Sequence, residues 1–161
     1  MWLLRFLMLL ALIVWVGGII FFAFVLAPTL FGVLPTTKLA GNVVNATLTK
    51  LHWMGLVSGV VFLISSLVYN WQKHVQFRAF SVAHFFVVLM LSFTVVSQFG
   101  ITPRMQRLRA DMEISDLPVS LNAQRAEFDL LHAWSTRLEG GVLFLGLGVV
   151  VLTARRFGNS S

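Results

Sequence analysis

A few polar residues in an otherwise apolar chain could do chemistry: His52, Arg104, Arg125, Asp129, His132, Ser135 and Glu139. The two imidazoles could move protons near neutral pH or ligate a metal. The two guanidinium groups match carboxylate and phosphate geometry. Asp129 and Glu139 offer carboxylates, and Ser135 a hydroxyl. Glu139 is the most telling of them, because it follows "LLHAWSTRL" and precedes "GGVLFLGLGVVVL", an apolar run. A carboxylate inside a membrane span is costly, and is usually paired or functional.

Membrane burial follows from composition. Of 161 residues, 58% are hydrophobic and 11% charged, against about 25% charged in an ordinary soluble domain. Such a chain cannot cover a water-facing surface and reads as an integral membrane protein. The formal charge of +6 does not point to nucleic acid, because the Lys and Arg are scattered over helix ends without interleaved stacking aromatics. With no cysteine, there is no thiolate metal site and no indication of redox compartment. The apolar run from Phe6 to Ala27 exceeds the ~7–15 residues of a secretory core and reads as a retained first span.

Four stretches are long enough to cross a bilayer, at about 3–27, 51–70, 80–101 and 133–154. The expected fold is therefore all-α: one four-helix membrane bundle over residues 1–161, with no second domain. Residues 28–50 follow a proline, and Thr36 and Thr37 introduce a short amphipathic helix feeding into span two. Residues 71–79 read as a tight polar turn. Residues 102–129 form the longest connection, hold every acid except Glu139, and are broken by Pro103 and Pro118. "NAQRAEFDLLH" resumes a helix capped by Ser120 or Asn122, so span four starts early and projects beyond the lipid.

Depth follows from helix rise. Glu139 to Arg155 spans about 24 Å, and His52 to Tyr69 about 25 Å, against a hydrocarbon core of about 30 Å. Glu139 thus lies about one turn inside the hydrocarbon, His132 about 10 Å further out, and His52 at a height similar to His132; chain direction puts His52, Arg104, Arg125, Asp129, His132 and Glu139 in one layer near one membrane surface, while His84 falls at the opposite surface and reads as structural. At about 100° per residue, Arg125, Asp129, His132, Thr136 and Glu139 lie within roughly 40° of one line, flanked by Phe128 and Ser135. That stripe should face protein or a wet cavity. Arg137 lies off it, and should snorkel outward or reach a neighbouring helix. Arg104, Arg107 and Arg109 read together as a solvated or headgroup-facing patch, and Met54 and Met105 as packing. Gly17, Gly18, Gly55, Gly59, Gly140, Gly141, Gly146 and Gly148 offer small faces for close helix contact.

Lys and Arg divide almost evenly between the two ends. Arg5, Lys73, Arg78, Arg155 and Arg156 lie on one side; Lys38, Lys50, Arg104, Arg107, Arg109 and Arg125 lie on the other. The acid-free flanks of the first and last spans favour cytoplasmic N- and C-termini in a bacterial-type inner membrane. Spans one and three both exit into a proline ("LAPTLF", "GITPRM"), and spans two and four both enter with His and Trp ("LHWMG", "LHAWS"), the pattern a parallel duplication of a two-helix unit would leave.

The segments "WVGGIIFFAFVLAPTLFGVLP", "LHWMGLVSG", "ITPRMQRLR" and "RAEFDLLHAWSTRLEGG" together resemble the transmembrane protein 205-like family of four-span proteins, over nearly the whole chain. In bacteria such proteins usually appear as a domain of unknown function. The most specific parts of the resemblance fall on Pro103, Arg104, Arg125, Phe128, His132 and Ser135, and His52 matches a His at the head of span two. A eukaryotic member is associated with platinum-drug resistance and export, so the resemblance implies transport or trafficking. The absence of cysteine departs from eukaryotic members and argues against a thiol route for platinum or copper.

Three kinds of function fit these observations. The first is a non-enzymatic membrane protein that binds or moves a small ligand, ion or lipid through the polar layer. Arg104 and Arg125 would hold an anion or headgroup, and Glu139 with His132 would carry protons. Four spans are few for alternating access, so such a carrier would act as a homo-oligomer or with a larger partner. The second is a membrane redox protein in which His52 and His132 ligate haem, or in which the two histidines with Asp129 and Glu139 hold a divalent metal. The third is an accessory subunit of a larger membrane complex.

Overall fold

The computed structural model describes residues 2–72, 82–114 and 118–158. Its elements are α1 (Trp2–Phe21), a π-helical segment (Phe22–Leu26), α2 (Ala27–Val33), α3 (Thr37–Gln72), α4 (Val82–Val95), a second π-helical segment (Val96–Ile101), α5 (Thr102–Ile114) and α6 (Pro118–Gly158). Among the described residues there is no strand. Four helical stretches are long and apolar enough to cross a membrane: Trp2–Val33, Thr37–Gln72, Val82–Asp111 and Ala123–Arg156. The protein is an all-α membrane bundle with four spans. The turn expected at 71–79 falls mostly outside the described residues, as do Lys73 and Arg78.

The helices run further than the prolines suggested. Proline lacks the N–H that closes an α-helical turn, and its ring crowds the carbonyl four residues back. Both interior prolines are accommodated by a wide turn immediately before them. Ala27 N–H reaches back to Phe22 O ahead of Pro28, and Thr102 N–H reaches back to Ser97 O ahead of Pro103. Each is a bond across five residues, which loosens the turn where the ring must fit. Helix direction is therefore kept through Pro28 as far as Val33, and through Pro103 as far as Ile114. Pro118 stands at the first position of α6, where a missing N–H costs nothing. The helix thus begins ahead of the expected caps at Ser120 or Asn122. The amphipathic helix expected before span two is the first part of the single 36-residue α3. Leu34 turns extended (ψ 143°) before Pro35, and the Thr36 hydroxyl accepts the Leu39 N–H at 3.2 Å, which starts α3 sharply.

Packing joins α1 chiefly to α3 and α4 chiefly to α6, with α3 against α4 closing the bundle. The buried core includes Met8, Leu12, Trp15, Ile19, Phe62, Val87, Met90, Val142 and Val149. Glycines set the closest approaches. A Cβ on Gly55 would stand 2.4 Å from Trp15 Nε1, and one on Gly59 2.7 Å from Trp15 Cζ3. The Trp15 indole therefore lies directly on the bare face of α3. Gly18 meets Leu51 and Gly146 meets Val16 in the same way, whereas Gly17 and Gly140 face open space.

Candidate functional site

Three spans meet at one buried cluster. His52, on α3, is 2% exposed. Its Nε2 lies 2.5 Å from Glu139 Oε1 on α6, and its Nδ1 lies 2.8 Å from Gln98 Oε1 on the second π-helical segment. Both ring nitrogens face oxygen acceptors. With Glu139 ionised, a doubly protonated imidazolium donates to both. The same two protons can also be arranged as a carboxyl that donates to Nε2 and a neutral ring that donates from Nδ1 to Gln98. The contact is thus a place where one proton is shared between two groups of different helices. The Glu139 side chain is 17% exposed, so the pair is largely, but not wholly, sealed.

Local sequence explains the placement. Gln98 sits in "VVSQFG", the only long polar side chain of that run. The wide turn there aims Gln98 inward (9% exposed) and leaves Phe99 and Gly100 on the outside. Ser97 beside it is fully buried; its carbonyl takes both the Thr102 backbone N–H and, at 2.9 Å, the Thr102 hydroxyl. Ser135, one turn before Glu139, is buried at 6% exposure.

The remaining sequence-predicted residues are not drawn into this cluster. His132 is exposed and stacks on Phe128 at 6.3 Å between ring centroids. Asp129 and Arg125 are exposed. Arg104 pairs with Glu127 at 2.5 Å on the surface. Arg137 is exposed and rests over the Trp134 ring, the outward snorkel expected of it. Arg109 leaves the expected solvated patch: Nη1 donates to Gly41 O at 2.9 Å, and its guanidinium lies over Phe128. Among the described residues, no three His, Asp or Glu side chains gather as a metal cage. With both His52 nitrogens engaged, haem or metal ligation there would have to displace Glu139 or Gln98.

At the exits of spans one and three a π-helical turn precedes the proline. At the entries of spans two and four the environments differ, since His52 is buried and His132 is exposed.

This four-span bundle with a polar cluster near one end defines a polytopic membrane protein of an uncharacterised class. Residues 10–113 match the family model described as a domain of unknown function (DUF4149), and the chain belongs to that family. The match takes in His52, Gln98 and Arg104, and ends before the helix that supplies Glu139. Neither a curated protein nor a solved structure matches the chain.

Proposed function

We propose that this membrane protein binds or moves a small ligand, ion or lipid, and that the His52–Glu139 pair takes up and releases the proton linked to that movement. The observation that carries the reading is the 2.5 Å contact between Nε2 of buried His52 and Oε1 of Glu139, which joins two spans inside the bundle. Intramembrane ionisable pairs of this kind mark ion pathways and proton relays. A purely structural pair needs no titratable partner on both sides, since a neutral amide and hydroxyl would join the helices as well. The resemblance to the transmembrane protein 205-like family favours the same reading. A second copy of the chain, or a larger membrane partner, would complete a path that four spans alone are short of. We read the membrane as a bacterial inner membrane with both termini cytoplasmic, which puts the cluster near the outer surface.

The test is ligand-elicited proton movement. Purified protein is reconstituted in vesicles enclosing a pH-sensitive dye, and a panel of small organic anions, cations and lipid-like amphiphiles is added. At least one should shift the internal pH in wild-type vesicles, and Glu139→Gln should abolish the shift while the protein elutes as a single folded species. A shift that survives Glu139→Gln, or a panel that shifts nothing, rejects the proton-linked reading.

A further inference from the structure

Outside the bundle, on the opposite face of the segment that presents Gln98, is an open cleft of about 500 Å³. Its walls are Phe99, Gly100, Arg104, Arg107, Leu108 and Glu127. The cleft has a sharp polarity gradient. Phe99 is 57% exposed and meets the exposed Trp53 edge-on, at 5.9 Å between centroids, giving an apolar aromatic wall at the end of span three. Slightly further along the helix come two guanidinium groups on successive turns. Glu127 bonds Arg104 from the far wall and offsets one of the two charges. Arg107 is exposed and makes no hydrogen bond to another described residue.

We propose that this cleft is a binding site for the phosphate headgroup of an anionic lipid. The fit rests on three features. The net positive charge left by Arg107 complements a phosphate, and guanidinium groups bind phosphate through paired hydrogen bonds. The charge lies where the apolar span gives way to the polar helix α5, at headgroup level. The Phe99–Trp53 wall lies on the lipid side of that charge, where glycerol and the first acyl carbons would rest; aromatic residues favour this depth. A free inorganic phosphate would use the arginines and gain nothing from the aromatic wall. The site stands whether or not the His52–Glu139 pair exchanges protons.

The experiment counts lipid retained by the full-length protein in mild detergent, by native mass spectrometry, after addition of phosphatidylglycerol or phosphatidylcholine. Wild type should retain phosphatidylglycerol in preference to phosphatidylcholine. Arg107→Gln should weaken that retention about fivefold, and Arg104→Gln with Arg107→Gln should remove the preference. Lys50→Gln, which deletes an exposed charge at the same end but outside the cleft, should leave retention near wild type. Millimolar inorganic phosphate should not displace the lipid. Retention unchanged in Arg107→Gln, or reduced equally by Lys50→Gln, would overturn the site. Displacement by inorganic phosphate would overturn the lipid as its occupant. Arg107 is exposed, so the single variant decides the matter even if the double variant fails to fold.

Discussion

The bundle carries two polar layers, one towards each end, and they are built from opposite chemistry. Near one end, His52, Gln98 and Glu139 join three spans through a contact that must hold a shared proton. Near the other, Arg5 donates to the Tyr69 hydroxyl through Nε at 3.1 Å and Nη2 at 2.9 Å. Arg156 lies over the same ring, with its centre 5.3 Å from the centroid, and bonds Asn70. That second layer also ties three spans, α1, α3 and α6. It contains no carboxylate, since the sequence has no acid before Asp111 or after Glu139. A guanidinium does not give up its proton in a protein, and a tyrosine hydroxyl titrates near pH 10. The contacts that tie α1, α3 and α6 at the far end are therefore made by guanidinium and phenol groups, with the buried His84 of α4 near Arg156 at the same end, whereas in the His52 layer an imidazole meets a carboxylate directly. Both solve the same problem of satisfying polar groups in an apolar bundle, and the His52 layer does so by setting an imidazole against a carboxylate.

The comparison breaks most easily at Glu139. Glu139→Ala leaves His52 buried without its partner, and should cost about 2–3 kcal/mol in reversible unfolding from mixed detergent micelles. Glu139→Gln keeps an acceptor at the same position and should recover most of that loss while removing the shared proton. If both variants are equally destabilised, the charge itself holds the helices and the layer is a clasp like its counterpart. A middle-sized effect is expected at Gly55, one turn from His52. A methyl group there would stand 2.4 Å from Trp15 Nε1. Gly55→Ala should therefore lower stability by about 1–3 kcal/mol through overpacking. Because α1 would be pushed off α3 beside His52, protease or hydrogen-exchange sensitivity should rise there before it rises around Tyr69. Equal loosening at both ends would mean that the layers are not independent.

Much of this arrangement was legible before any coordinates. Helix rise sets His52 at the height of His132, with Glu139 deeper on the same helix as His132; the structure pairs His52 with Glu139 instead. The cost of an intramembrane carboxylate singled out Glu139, the only acid within a span's apolar run. Two inferences failed for definite reasons. The stripe through Asp129, His132 and Glu139 identified a helix face, but a face is shared along the whole helix while a neighbour is not. Two turns out from Glu139, His132 has left the buried part of the bundle. The prolines suggest breaks because an α-helix cannot close around them, and a turn widened by one residue removes that objection. Gln98 was overlooked inside an apolar run, although the same depth sum applied back from Arg104, about 9 Å of helix, would have put its amide level with His52. Arg107 was hidden in a basic run whose members look alike in sequence. Only the packing of α5 against α3 and α6 separates Arg109, bound to a backbone carbonyl, from Arg104, paired with Glu127, and from Arg107, left in the cleft.

The smallest expected effect sharpens the comparison from the other side. Tyr69→Phe removes the oxygen that accepts both Arg5 bonds but leaves the ring on which Arg5 and Arg156 rest, at 5.5 and 5.3 Å from its centroid. Interhelical hydrogen bonds in membranes average about 0.6 kcal/mol, and the retained cation–π contacts contribute on the order of 0.5–1 kcal/mol each. The loss should therefore stay near 1 kcal/mol in the same unfolding measurement. It should leave any ligand-elicited proton signal unchanged, because the hydroxyl it removes is outside the His52–Glu139 pair. A Tyr69→Phe protein that keeps its stability but loses the proton signal would make the phenol part of the path, and the far layer would then be a second station for the proton at the opposite face of the bundle.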